Sequence, residues 1–259
     1  MILTIDIGNT TIAVACVAVS PDGEYSLRYS GKLETMPTCE EEDYEPGLKA
    51  LLDRWGVSHS DFRGAVISSV VPAVRSAMEA CVRTLLHTEP VIVTYESDLG
   101  ITLDVDYPEK VGCDRLVDSA WAAAHYPLPV VTADLGTAST LNVIRRGKVF
   151  SGGIIAAGIM TGLRALASGT AQLPEVELST PGRLIGKNTM ECMISGAVVG
   201  TAAFLDGVVE RIEEELGQKV SLVITGGGGE YVAPLVKHSH VYDPELILKG
   251  LAYLYMRNR

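Results

Sequence analysis

Carboxylates followed by glycine and small hydroxyl residues occur at two places where an apolar run ends. Asp6-Ile7-Gly8-Asn9-Thr10-Thr11 follows apolar residues 1–5, and Asp134-Leu135-Gly136-Thr137-Ala138 follows residues 129–133. A carboxylate can hold a cation, and a glycine turn lets backbone N–H groups approach phosphate oxygens. The two motifs, 128 residues apart in a chain of 259, therefore indicate phosphate and metal chemistry.

A third loop of small residues supports this interpretation. Thr225-Gly226-Gly227-Gly228-Gly229 follows the apolar run 220–224. Singly, each motif is weak, because Asp-x-Gly is common in turns and a glycine run can simply lead into a helix. Together they predict two phosphate-binding turns and a loop on the adenosine side of a nucleotide.

The elements that must position these loops repeat along the chain. Strands are predicted at 1–5, 12–19 and 25–33, and again at 129–133, 140–144 and 149–155. This repetition predicts an α/β fold with two similar halves, residues 1–118 and 119–259, facing each other across a nucleotide cleft.

Other strands and the helices follow from apolar periodicity and capping signals. Further strands are predicted at 65–71, 90–94 and 220–224. Helices are predicted up to Trp55, from Pro72 to Leu85, and at 115–125, 158–168, 189–216 and 245–256. The first of them has a candidate capping box formed by Thr38 and Glu41.

Net charge, apolar runs and cysteine spacing exclude several classes of protein. A net charge of −11 and the lack of a basic run argue against nucleic-acid binding, because phosphate neutralisation needs Lys and Arg. We expect no membrane span, since no uninterrupted apolar run reaches about 18 residues, and no signal peptide. Five scattered cysteines without a Cys-x-x-Cys pair argue against disulfides and zinc and favour a reducing cytoplasm. Cys113 is interpreted as a small apolar filler.

In the order and spacing of these motifs the chain resembles type III pantothenate kinases, within the superfamily of sugar kinases, heat-shock-70 ATPases and actin. Besides the two Asp-x-Gly motifs and Thr225-Gly226-Gly227, the matching segments are Ser68-Ser69-Val70-Val71-Pro72, Val111-Gly112-Cys113-Asp114-Arg115, Gly152-Gly153-Ile154, Gly169-Thr170-Ala171, Gly186-x-Asn188-Thr189 and residues 246–251. The resemblance spans nearly the whole chain.

The resemblance implies a duplicated ribonuclease-H-like (actin-like ATPase) fold, with two mixed sheets flanked by helices, and a homodimer. It implies ATP-dependent phosphorylation of pantothenate to 4′-phosphopantothenate, the first step of coenzyme A biosynthesis. Asp114 would be the general base. The ATP-binding residues would be Asp6, Ile7, Gly8, Asn9, Thr10, Thr11, Ile12, Ala13 and Thr137. The pantothenate-binding residues would be Gly112, Cys113, Asp114, Arg115 and Thr189.

The family also implies cations. Asp6 would act on Mg²⁺, through water, and Asp134 would hold K⁺ or NH₄⁺. One position departs from the family pattern: Val105 stands where members often carry a pantothenate-contacting Tyr, while Tyr107 immediately precedes Pro108.

Two other functions stay open from the residues. The chain could be a non-catalytic regulatory relative, such as a transcription accessory factor, or a kinase for another small hydroxylated acceptor. The pair His238 and His240 lacks a third ligand in the sequence pattern and is not interpreted as a metal site.

Overall fold

The computed structural model describes residues 1–36 and 41–259. The predicted capping box of Thr38 and Glu41 therefore lies outside the described residues. The chain forms two compact units. Unit 1 contains residues 1–124 and 245–259, and unit 2 contains residues 125–244.

Unit 1 is built on a five-stranded sheet. Its strands are β1 (Ile2–Ile7), β2 (Thr11–Val19), β3 (Tyr25–Glu34), β4 (Gly64–Ser69) and β5 (Val91–Ile92). Their order is β3-β2-β1-β4-β5, antiparallel from β3 to β1 and parallel from β1 to β5. A further short strand, β6, covers Thr102–Leu103.

Helices cover both faces of this sheet. They are α1 (Glu41–Trp55), α2 (Pro72–Leu86), α3 (Cys113–His125) and α7 (Leu246–Asn258). Because side chains alternate along a strand, Leu3, Ile5 and Ile7 face one core, which α1 and α2 close. Ile2 faces the other core, which α3 and α7 close. By the same alternation, Asp6 lies on the face that α3 covers.

Unit 2 repeats this architecture. Its strands are β7 (Val130–Leu135), β8 (Ala138–Arg145), β9 (Val149–Ala157), β10 (Ser221–Thr225) and β11 (His240–Tyr242). They follow the order β11-β10-β7-β8-β9, antiparallel from β9 to β7 and parallel from β7 to β11. Its helices are α4 (Ile159–Gly169), α5 (Thr189–Leu216) and the short α6 (Gly229–Val232).

The two sheets therefore have the same topology, and Asp6 and Asp134 hold the same place in them. Each is the next-to-last residue of the central strand, and each lies opposite a hydroxyl residue on the neighbouring parallel strand, Ser68 or Thr225. The predicted duplicated ribonuclease-H-like fold with two mixed sheets is confirmed. The motifs that were recognised as a repeat in the sequence are equivalent positions of two copies of one fold.

The last helix belongs to unit 1, although the sequence prediction assigned residues 119–259 to a second half. Leu251, Ala252 and Leu254 are buried in the core beside α3, and the Tyr255 hydroxyl donates to the backbone carbonyl of Arg63 at 2.7 Å. The compact units divide at 124/125 and 244/245. The division of the chain into duplicated halves at residues 118 and 119 stays a prediction.

Among the described residues, α5 is the one helix whose length and composition would allow it to cross a membrane, with a mean hydropathy of 1.8 over its most apolar 18 residues. The sequence analysis expected no membrane span, because no apolar run reaches about 18 residues; in α5 glycines, threonines and charged residues interrupt the apolar ones, yet the average hydropathy stays high. Met193, Val198, Leu205 and Val209 of α5 face the core of unit 2.

Candidate active site

In unit 1, the turn between β1 and β2 carries the first Asp-x-Gly motif. The Ser68 hydroxyl on β4 donates a hydrogen bond to Asp6 Oδ1, which orients the carboxylate. The Gly8 N–H donates to the Thr11 carbonyl at 3.1 Å and closes the turn, and the Thr35 hydroxyl donates to the Gly8 carbonyl at 2.8 Å. Asn9, Thr10 and Thr11 are exposed, which leaves the outer side of the turn open to a ligand.

Two of the residues predicted to bind ATP are core residues. Ile7 and Ile12 are at most 1% exposed and pack against α1 and α2. Because both side chains are buried in the core, only the backbone at these two positions can contact a ligand.

The start of α3 brings Cys113 and Asp114 to this turn. Burial raises the pKa of the Cys113 thiol, and the nearby negative charges of Asp114 and Asp6 raise it further, while the backbone of Ser69 and the charge of Arg75 lower it. Both carboxylates therefore lie within electrostatic range of one sulfur. The thiol stays protonated at neutral pH, which agrees with a filler and not with a nucleophile.

The conformation of Asp114 depends on the glycine two residues earlier. Asp114 Oδ1 accepts a hydrogen bond from the Arg115 N–H at 2.8 Å, in the first turn of α3. A Cβ atom at Gly112 would lie 2.5 Å from the same oxygen. The carboxylate occupies space that only glycine leaves free at position 112.

Arg115 is half-buried beside this carboxylate. Burial lowers the pKa of its guanidinium, and the Asp114 carboxylate opposes that shift. The side chain nevertheless stays charged, because the pKa of arginine begins far above neutral pH. Unit 1 thus combines the carboxylates of Asp6 and Asp114, the permanently charged Arg115 and an open glycine turn.

In unit 2, the second Asp-x-Gly motif is packed against the glycine run. Asp134, the next-to-last residue of β7, lies opposite Thr225, and Gly226 follows Thr225 with a φ of +83°. A Cβ atom at Gly226 would lie 2.2 Å from Asp134 Oδ1 and 2.6 Å from the Leu135 nitrogen. From the sequence we interpreted this glycine run as a loop on the adenosine side of a nucleotide. The structure adds that Gly226, by lacking a side chain, leaves room for the Asp134 carboxylate.

The turn that contains Thr137 is fixed by the start of α4. The Thr137 carbonyl accepts hydrogen bonds from the Gly158 N–H at 3.2 Å and the Thr161 hydroxyl at 2.7 Å. A Cβ atom at Gly158 would lie 2.2 Å from the Gly136 carbonyl oxygen. Gly158 is therefore part of the support of this turn, a role that depends on a tertiary contact and has no local sequence signal.

Thr189 begins α5 and is exposed. The preceding Asn188 caps the helix, since its side-chain oxygen accepts from the Glu191 N–H at 2.9 Å. Thr189 lines a largely apolar cavity of about 750 Å³ in unit 2, together with Ser139 and Gly158, which adjoin the Thr137 turn. Within unit 2, the structure therefore brings Thr189 to the same cavity as the neighbours of Thr137.

The carboxylates suit cations that take few protein ligands. Within the described part of the chain, no group of three or more His, Cys, Asp and Glu residues could hold a metal ion. A single oriented carboxylate is nevertheless enough for Mg²⁺ that keeps most of its water. The histidine pair has other contacts: His238 Nε2 lies 3.3 Å from Glu213 Oε1, and His240 Nδ1 lies 2.8 Å from the His238 carbonyl oxygen.

Solved structures with this fold include two proteins described as activators. The chain matches a conserved protein from Campylobacter jejuni, proposed to be a Baf family transcriptional activator, with a TM-score of 0.57 and 18% identity over 98% of this chain and 97% of that one. It matches the activator of 2-hydroxyisocaproyl-CoA dehydratase from Clostridium difficile, solved with bound ADPNP, with a TM-score of 0.54 and 11% identity over 98% and 92%. At these identities the likeness concerns the fold, that of the actin-like ATPases and sugar kinases.

The family follows from the sequence itself. Residues 2–211 match the family model of type III pantothenate kinase. This range contains both Asp-x-Gly motifs, the Gly112–Arg115 segment and Thr189. The chain belongs to the type III pantothenate kinase family.

Proposed function

We propose that this pantothenate kinase uses Asp114 as the general base that activates the acceptor hydroxyl. The observation that carries the proposal is the position of Asp114 near the end of β1. A Cβ atom at Gly112 would lie 2.5 Å from Asp114 Oδ1 and 3.6 Å from Val70 Cγ1, and the Val70 N–H donates to the carbonyl of Ile7, the neighbour of Asp6, at 3.1 Å. One carboxylate would then act on the acceptor and the other on the cation that accompanies ATP. Such a division of roles is what phosphoryl transfer from ATP to an alcohol requires.

The proposed reaction moves one phosphoryl group from ATP to pantothenate. The 4′ hydroxyl oxygen of pantothenate attacks the γ-phosphorus of ATP, the bond from that phosphorus to the β,γ-bridging oxygen breaks, and ADP leaves. Asp114 accepts the hydroxyl proton, and the products are ADP and 4′-phosphopantothenate. A loose transition state needs only a well-placed carboxylate for this proton transfer.

The remaining roles are proposed from the family pattern. Residues 6–13 bind the ATP phosphates, mainly through the backbone of the Gly8 turn, and Thr137 contacts ATP. Gly112, Cys113, Arg115 and Thr189 bind pantothenate. Asp6 holds Mg²⁺ through water, and this ion would offset phosphate charge. Asp134 holds K⁺ or NH₄⁺, and the chain acts as a cytoplasmic homodimer.

The first experiment follows ADP release with ATP, Mg²⁺, K⁺ and pantothenate, comparing the wild type with Asp114→Asn. We expect the variant to lose at least about 100-fold in kcat, the lower end of general-base contributions, while its melting temperature stays close to that of the wild type. Asn is nearly isosteric with Asp and still accepts from the Arg115 N–H. Unchanged turnover in a folded variant would remove Asp114 from this role.

A second experiment separates the proposal from its alternatives. A panel of hydroxylated acceptors, including sugars, is scored by ADP release with the wild-type protein. Turnover of a sugar in preference to pantothenate would indicate a different acceptor. No turnover with any acceptor, together with a positive DNA gel shift or protein pull-down, would indicate a regulatory relative.

A further inference from the structure

Arg75 lies at the edge of the unit 1 sheet where the carboxylates gather. The strands β1 and β4 are parallel, so Asp6 and Ser68 near their ends lie at the same edge. Pro72 begins α2 three residues after β4 ends, and Arg75 is in the first turn of that helix. No pantothenate-kinase motif of the sequence analysis includes Arg75.

The guanidinium of Arg75 is held on one side and open on the other. Its Nε lies 3.2 Å from Glu79 Oε1, one helical turn later, and the side chain is 41% exposed. The second oxygen of Glu79 is taken by Arg83, whose Nη2 lies 3.3 Å from it. The contact of Nε with Glu79 is an ion pair without hydrogen-bond geometry, because this buried nitrogen has no hydrogen-bond partner among the described residues. The guanidinium of Arg75 therefore keeps donors that could bind a carboxylate.

The charge of Arg75 acts on the Cys113 thiol, which is next to the proposed base Asp114. It stabilises the thiolate form of Cys113, against the effects of Asp114 and Asp6. In a chain with a net charge of −11, an arginine near two carboxylates favours the approach of an anionic substrate to them. Its ion pair with Glu79 is shared with Arg83, so two cations face one carboxylate.

We propose that Arg75 binds the carboxylate of the acceptor through its Nη groups and thereby makes the enzyme select an anionic acceptor. The inference rests on the proposed function, in which Asp114 receives the proton of the hydroxyl at the opposite end of pantothenate. Arg115 follows Asp114 directly in α3 and is half-buried beside its charge. Arg75 comes from a different helix, and Val105 offers no hydrogen-bonding side chain where relatives carry a Tyr.

The test compares pantothenate with panthenol, which has a neutral CH₂OH in place of the carboxylate. The variant is Arg75→Met, which keeps the aliphatic length of the side chain. The matched control is Arg83→Met, because Arg83 also pairs with Glu79 but lies two turns away, about 12 Å along α2. Steady-state constants for both acceptors and for ATP, equilibrium binding of both acceptors and melting temperatures are measured for each protein.

We expect Arg75→Met to raise KM for pantothenate by about 10- to 100-fold, the scale of a lost charged hydrogen-bond pair, with kcat within about threefold. KM for ATP and kcat/KM for panthenol should stay near wild type, so the preference for pantothenate over panthenol falls. Arg75→Lys should raise KM for pantothenate less than Arg75→Met, because lysine keeps the positive charge but lacks the paired N–H donors of the guanidinium. Arg83→Met should change none of these constants.

Three results would overturn the inference. An equal loss with both acceptors would mean that Arg75 acts on the transferred phosphoryl group or on folding. An unchanged preference in folded Arg75→Met would exclude a carboxylate contact. A wild-type protein that neither binds nor phosphorylates pantothenate would refute the proposed function itself. If the wild type phosphorylates pantothenate and Arg75→Met does so equally well, only the role of Arg75 is refuted.

Discussion

Substituting Gly112 by alanine tests how closely turnover depends on the place of the Asp114 carboxylate. The added Cβ would lie 2.5 Å from Asp114 Oδ1, about 0.9 Å short of the 3.4 Å at which ordinary van der Waals contact begins. The obstructing atom ends a rotatable side chain, so the backbone need not move. Position 112 also lacks the positive φ that only glycine tolerates. The variant should therefore fold, with the carboxylate displaced by nearly 1 Å.

A misplacement of about 1 Å can cost about 100-fold in rate, equivalent to about 2.7 kcal/mol of activation free energy. We expect kcat to fall by about 10- to 100-fold in Gly112→Ala. Stability should stay within about 1 kcal/mol of the wild type, as for glycine-to-alanine changes at compatible positions. The assay is steady-state ADP release, with thermal unfolding to confirm the fold.

The matched control is Gly182→Ala, because a Cβ at that position meets no atom within 4 Å and its φ is not positive. It should leave both kcat and the melting temperature unchanged. If folded Gly112→Ala has a kcat within threefold of Gly182→Ala, the position of the Asp114 carboxylate does not limit turnover. The reasoning from the crowded oxygen would then be refuted, whatever Asp114→Asn does.

Two further predictions concern unit 2. Replacing K⁺ by Na⁺ at constant ionic strength should lower the initial rate, and Asp134→Asn should remove the difference between the ions; a wild type indifferent to the exchange contradicts the cation role of Asp134. At buried Glu213, burial is the largest influence and raises the pKa, but Lys219 at 2.7 Å, the Val220 N–H and His238 together lower it below its ordinary value of 4.5. A carboxylate with a lowered pKa stabilises the fold above pH 4.5, and this stabilisation is lost as the pH falls through the lowered value. Glu213→Gln should therefore lower the free energy of unfolding by about 2 kcal/mol at neutral pH. It should also make the free energy of unfolding depend less on pH on the acid side. An acid-side slope equal to that of the wild type would contradict this reasoning.

Local patterns in the sequence were sufficient for most of the elements that carry the site. The predicted strand at 1–5 and helices at 72–85 and 189–216 correspond to Ile2–Ile7, Pro72–Leu86 and Thr189–Leu216. Apolar alternation, a proline at a helix start and a glycine stop at 217 are each encoded within a few residues. The repeat of Asp-x-Gly at equivalent strand ends then fixed the fold class.

The contacts that shape the carboxylates were not predictable in the same way. Ser68 lies opposite Asp6, and Gly226 against Asp134, because parallel strands far apart in sequence share one register. A single sequence does not contain that register as a local signal. The same reason applies to Arg75, which is an ordinary helix-surface arginine until β4 and α2 bring it to the edge where Asp6 lies.

The return of α7 to unit 1 has a consequence for damaged or shortened versions of this polypeptide. Any premature stop codon upstream of position 245 removes a wall of the hydrophobic core against which β1 and α3 pack. Ribosomes must therefore translate α7 before the unit that contains Asp6 and Asp114 can close. Nonsense alleles that stop translation shortly before position 245 should yield polypeptides that expose Ile2, Val66 and Leu116 to water, and proteases should degrade them.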